Sequence, residues 1–251
     1  MIDTKENAMQ KMIDSIKFQE KGNVQMIAHR GLSGLETENT CAAFVAAGVK
    51  SYYGIETDVH VTKDKQFICV HDDDLKRIAS LPWEIEETDF STLRKVRLQD
   101  KNGLQREDLC LPSLEEYFSI CKRYQKKAVL ELKNPMDKDM VWAIAEKAVH
   151  MGVFENVIFI SFDAQNLLYL REKYPTATAQ FLTETATDSE IAFMIENKLD
   201  ADLWDECVTK EKVDTLHAHG LKVNVWTVDS LVQAKRMQDC GVDYITSNIL
   251  E

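Results

Sequence analysis

Two histidines, an arginine and three carboxylates carry the chemistry this sequence can do, and most of them fall between residues 26 and 72. Met26–His29 is an apolar run that opens into His29-Arg30-Gly31. Gly54–Val61 carries Glu56 and Asp58 two residues apart, and Gln66–Val70 leads directly into His71-Asp72. Each run starts apolar and turns titratable inside it or at its end. Strands that deliver side chains to one mouth of a sheet or barrel have this pattern, whereas strands that only pack do not.

Residues i and i+2 of a strand share a face, so Glu56 and Asp58 point the same way. The spacing recurs downstream, where Glu131 and Lys133 share a face in Ala128–Lys133. Carboxylates turned into a barrel need a cation or an unusual protonation state. Three of them, Glu56, Asp58 and Glu131, make an oxygen-ligand site suited to Mg²⁺ or Ca²⁺. The competing reading turns them out to solvent, which the apolar neighbours Ile55, Val59, Val129 and Leu132 oppose.

His29 and His71 end equivalent strand-like runs, and imidazoles that titrate near neutrality suit general base and general acid roles. His150, His217 and His219 read as helix-surface residues, and His60 is undetermined. Arg30 and Lys133 are the cations nearest the carboxylates, a paired donor and a point charge for a phosphate. Trp226 falls near a strand end, on the face of Asn224, where it either lines a substrate slot or packs in the core.

The elements that must position these groups follow from periodicity. Residues 8–20 have apolar side chains at helical spacing, so residues 1–22 are expected to form a helical extension that plugs the barrel bottom or covers an edge. Asn39 is the expected N-cap of an Ala-rich helix. Thr62–Gln66 reads as a hairpin-length turn, after which Phe67–His71 runs antiparallel to the second strand or extends the sheet. Residues 73–110 are the least regular part and read as an excursion over the site, too short to bury a core of their own. Ser113 and Glu116 then match a capping box. From Ala128 onward strands and helices alternate with short loops to the end of the chain. Eight such units fit if Gln66–Val70 extends the second strand. This predicts an α/β fold, a single (β/α)8 TIM barrel over residues 23–251. A doubly wound open sheet is the runner-up, but its first turn should be Gly-rich and His29–Gly34 is a poor match.

The 251 residues carry a formal charge of −12, which disfavours nucleic acid and anionic membrane surfaces as partners. An acidic enzyme that takes a phosphate must supply positive charge locally. No leader-like segment or long apolar run is expected, so the chain reads as cytoplasmic with no stable membrane insertion. The six cysteines are dispersed with no CxxC pair, and Cys69 and Cys121, within apolar-periodic segments, are expected to be buried free thiols.

Read in order, His29-Arg30-Gly31, Glu38-Asn39-Thr40, Glu56-Thr57-Asp58, His71-Asp72, Pro112–Glu116, Glu131-Leu132-Lys133, Ser161-Phe162 and Val225–Val228 resemble the motifs of the glycerophosphodiester phosphodiesterase family. The resemblance runs from about residue 25 to the C-terminus. It implies a metal-dependent TIM-barrel hydrolase that cleaves a small-molecule glycerophosphodiester to glycerol 3-phosphate and an alcohol. By position it makes Glu56, Asp58 and Glu131 the metal ligands and His29 and His71 the acid–base pair. Arg30 and Lys133 would hold the phosphate. Two positions depart from the family pattern: Thr37 stands where a proline is common, and Thr246-Ser247-Asn248 stands where Thr-Asp is usual. A phospholipase D-type barrel acting on lipid, and a silent barrel that only binds phosphodiesters, are the alternatives. The first would want an exposed apolar rim and the second a missing catalytic group.

Overall fold

Strict strand–helix alternation with short loops leaves each strand parallel to its neighbour, and eight such strands close. In the computed structural model, which describes residues 14–251, the ring runs β1 (Gln25–Ala28), β2 (Gly54–Val61), β4 (Lys127–Leu132), β5 (Val157–Ser161), β6 (Thr178–Thr183), β7 (Asp200–Trp204), β8 (Val223–Trp226) and β9 (Tyr244–Ser247). β1 pairs in parallel with both β2 and β9, which closes the barrel. β3 (Phe67–Cys69) is not a ninth stave. It folds back antiparallel on the end of β2, with Val59 opposite Cys69.

Alternate side chains along each strand divide between two cores. Ile27, Val129, Ile158, Ile160, Leu182 and Tyr244 fill the barrel interior. Met26, Ala28, Ile55, Val59, Leu130 and Leu132 face outward, in the layer the barrel shares with its helices. Those helices are α1 (Cys41–Gly48), α2 (Leu114–Tyr124), α3 (Lys138–His150), α4 (Ala164–Lys173), α5 (Asp188–Asn197), α6 (Lys210–Ala218) and α7 (Leu231–Cys240). The capping box of α2 forms as expected: Ser113 Oγ accepts from Glu116 N, and the Glu116 carboxylate accepts in turn from Ser113 N.

Three expectations are corrected. The cap of α1 is Thr40, whose hydroxyl accepts from Ala43 N, and not Asn39. Asn39 adopts a left-handed backbone and its side chain turns to Asp58. The expected N-terminal helix lies outside the described residues up to residue 13. From there the chain is extended, with Ile16 bridging in parallel to Leu250. Backbone pairing with the last strand's continuation outweighs helical spacing there, and Phe18 is buried as a result. Third, the excursion does bury a small core: Leu75, Ile85, Leu93, Val96, Leu98 and Leu109 pack with Ile68 and Val70. Borrowing those two residues from β3 and its end is what makes a segment this short able to do so.

Candidate active site

All eight strands of the ring, or the residues that follow them, contribute to one pocket, together with the segment after β3. Its walls include His29, Arg30, Glu56, His71, Glu131, Asp202 and Trp226. The carboxylates come together through register. Asp58 on β2 is opposite Glu131 on β4, and Glu56 lies one inward position below Asp58. Ligand oxygens of the three lie within 4.8 Å of one another, and all three residues are buried.

Such a cluster is electrostatically unfinished. Burial raises the Glu56 carboxyl well above its usual range, and the neighbouring Asp58 adds to the rise. Burial and Asp58 together push Glu131 up to about 8. Burial would raise Asp58 too, but Arg30 and Lys133 overcome it and bring that carboxyl down. Three oxygen donors at this separation, two of them reluctant to ionise, fit a hard divalent cation. The residues present therefore suit a divalent metal ion.

The cations flank the cluster. Lys133 Nζ is 2.9 Å from Glu131 and 3.7 Å from Asp58, while Arg30 Nε is 3.6 Å from Asp58. Arg30 reaches inward because the turn is left-handed at both Arg30 and Gly31. The backbone N–H of Arg30 donates to Glu56 Oε2 at 2.7 Å. Gly31 is required on two counts, a φ of +77° and a would-be Cβ only 2.6 Å from the Ala43 backbone.

Each histidine is held at Nδ1, which leaves Nε2 free. His71 Nδ1 bonds the Asp72 carboxylate at 2.8 Å. Arg77 then grips Asp72 through Nε and Nη2 and reaches Glu38 as well. His29 Nδ1 bonds the side-chain oxygen of Asn248 at 2.8 Å, and its Nε2 is 4.0 Å from Glu56. Burial, assisted by the Arg30 charge, pulls His29 down to about 4. Burial also lowers His71, against the opposing pull of Asp58.

All eight residues singled out in the sequence come together here. Trp226 is a wall of the pocket, half-buried and edge-to-face with Phe162 at 5.6 Å. His60 is fully buried against Glu86 and the His71 carbonyl, so it supports the second histidine from behind. His150, His217 and His219 are exposed. Sequence reasoning missed Arg77, Asp202, Asp229 and Asn248. Asn248 stood out only as part of a departure from the usual Thr-Asp, and its place just past the last strand was the one further signal. Asp202 is 1% exposed, and burial pushes it up to about 7. Its Oδ1 has no partner.

Two imidazoles and a buried carboxylate triad thus share one pocket at the mouth of the barrel. The sequence model of the glycerophosphoryl diester phosphodiesterase family matches residues 29–250, and the chain belongs to that family. YhdW of Bacillus subtilis is 28% identical over 234 residues, 89% of this chain and 93% of its own. A glycerophosphodiester phosphodiesterase of Bacillus altitudinis is 26% identical, with 88% and 93% covered. The fold matches a phosphodiesterase of Oleispira antarctica, solved with the product sn-glycerol 3-phosphate. The TM-score is 0.78 at 21% identity, over 90% of this chain and 93% of that one. Among the described residues no helix is long and apolar enough to cross a membrane.

Proposed function

We propose that the chain hydrolyses glycerophosphodiesters to sn-glycerol 3-phosphate and an alcohol, with Glu56, Asp58 and Glu131 holding Mg²⁺ or Ca²⁺. The observation that carries this reading is the pair of free imidazole Nε2 atoms on a pocket that also holds Arg30, Glu56 and Glu131. A metal held by these three carboxylates would supply Lewis-acid stabilisation of charge on phosphate oxygens. Arg30 and Lys133 add fixed positive charge where the transition state becomes more negative. Arg30 is paired with Asp58 and Lys133 with Glu131, so each is already aimed.

His29, backed by a neutral amide and held unprotonated by its burial, takes the proton of the attacking hydroxyl. His71, backed by the Asp72 carboxylate, gives its proton to the alkoxide as the P–O bond breaks. The attacking oxygen is that of water, or the glyceryl hydroxyl of the substrate with a cyclic phosphate formed first. Trp226 and Phe162 form an apolar wall fit for the alcohol head group. The substrate is a small soluble diester met in the cytoplasm; a charge of −12 repels polyanions.

Phosphorus NMR of the protein with glycerophosphocholine and Mg²⁺ or Ca²⁺ tests this. The expected result is loss of the diester signal and growth of a phosphomonoester, with a transient cyclic signal if the glyceryl hydroxyl attacks. Cleavage of lysophosphatidylcholine or sphingomyelin, with glycerophosphodiesters untouched, overturns it in favour of lipid.

A further inference from the structure

His29 is not backed by a carboxylate directly, yet a carboxylate stands one residue behind it. Asn248 Oδ1 is 2.8 Å from His29 Nδ1, and Asn248 Nδ2 donates to Asp229 Oδ2 at 2.6 Å. Asp229 is also pinned from the other side. Its Oδ1 accepts from the Asn248 backbone N–H at 2.8 Å and from Ser247 Oγ at 2.9 Å. β8 and β9 are neighbours, so the segments that follow them bring positions 229 and 248 together.

We propose that Asp229 is a positioning residue that sets the His29 tautomer through Asn248. This rests on the reading of His29 as proton acceptor. An ionised carboxylate can only accept, so it forces the Asn248 amide to turn its NH₂ towards Asp229 and its oxygen towards His29. That oxygen can only accept as well, so the neutral imidazole must carry its proton on Nδ1. The lone pair is left on Nε2, on the pocket side. Ser33 does not oppose this: its hydroxyl lies 2.7 Å from the same amide oxygen and 2.8 Å from the His29 carbonyl, and it can donate to either.

The near-isosteric change Asp229→Asn tests the relay. The amide it introduces keeps an oxygen for the backbone N–H and for Ser247, but turns an NH₂ towards Asn248. The Asn248 amide must then flip and present its own NH₂ to His29, moving the imidazole proton to Nε2. Nitrogen NMR of ¹⁵N-histidine-labelled protein reads the tautomer directly, with the His29 signals identified by their loss in His29→Gln. The expected results are an Nδ1–H imidazole in the wild type and Nε2–H in Asp229→Asn. Turnover of glycerophosphocholine should fall by about 10² in kcat with KM little changed. The double variant Asp229→Asn/Asn248→Asp reverses the relay, with an amide donating to a carboxylate that again accepts from Nδ1. It should restore both the Nδ1–H tautomer and most of kcat.

An Nε2–H imidazole in the wild type, or Nδ1–H retained in Asp229→Asn, overturns the relay whatever the activity does. A shifted tautomer with unimpaired turnover leaves the relay standing and overturns the role given to His29.

Discussion

Asp58 and Glu131 are register partners on adjacent parallel strands, so the barrel itself forces two buried carboxylates side by side. Lys133 answers part of that charge, and a divalent cation would answer the rest. Adding Mg²⁺ or Ca²⁺ to chelator-treated protein should therefore raise its melting temperature. At a hundred times Kd the gain is about 2.7 kcal/mol, or several degrees for a chain this long. Differential scanning calorimetry checks it; Asp58→Asn should abolish most of the shift. A melting temperature indifferent to both metals would argue against the carboxylate site.

His29→Ala and His71→Ala should each reduce kcat by about 10² or more while the fold is kept. Both side chains line the pocket at the barrel mouth, so neither leaves a cavity in the packed core. Steady-state kinetics with circular dichroism separates the two effects. Near-normal turnover in His71→Ala would remove it as the acid.

The histidines and carboxylates were legible because strand periodicity of two puts Glu56 with Asp58 and Glu131 with Lys133, and because both histidines end apolar runs. The support around them was not. Asn39 is a favoured residue both as a helix cap and in left-handed backbone, and local sequence does not say that Asp58 will claim its amide. Asn248 and Asp229 are 19 residues apart and meet only because β8 lies beside β9. At residues 14–20, helical spacing of apolar side chains was a true feature of the sequence, but pairing with Leu250 and Glu251 decided the backbone.

Asp202 makes stability depend on pH. Its carboxyl titrates near 3.8 when unfolded and is pushed up to about 7 by burial when folded. Between those values the folded chain keeps a proton that the unfolded chain has lost. The stability this proton carries is full below about pH 3.8 and is lost as pH rises through 7. Asp202→Asn should thus match the wild type in acid and exceed it at pH 8 by on the order of 2–4 kcal/mol. Urea midpoints at pH 5 and pH 8 measure the difference, and a gap that did not widen with pH would refute it.

Gly31→Ala should destabilise by about 2–4 kcal/mol, from left-handed backbone strain and a clash with the Ala43 backbone. The turn aims Arg30, so residual folded protein should also lose turnover. Denaturant unfolding gives the first quantity and initial rates the second. Wild-type stability in this variant would mean that the turn can relax without Gly31.

Release of sn-glycerol 3-phosphate from glycerophosphocholine, followed with chelator and then with Mg²⁺ or Ca²⁺ restored, bears most directly on the whole account. Release that stops with chelator and returns with metal is the predicted result. Release that persists undiminished in chelator would contradict the carboxylate metal site. No release from several glycerophosphodiesters under either metal would contradict the proposed reaction itself.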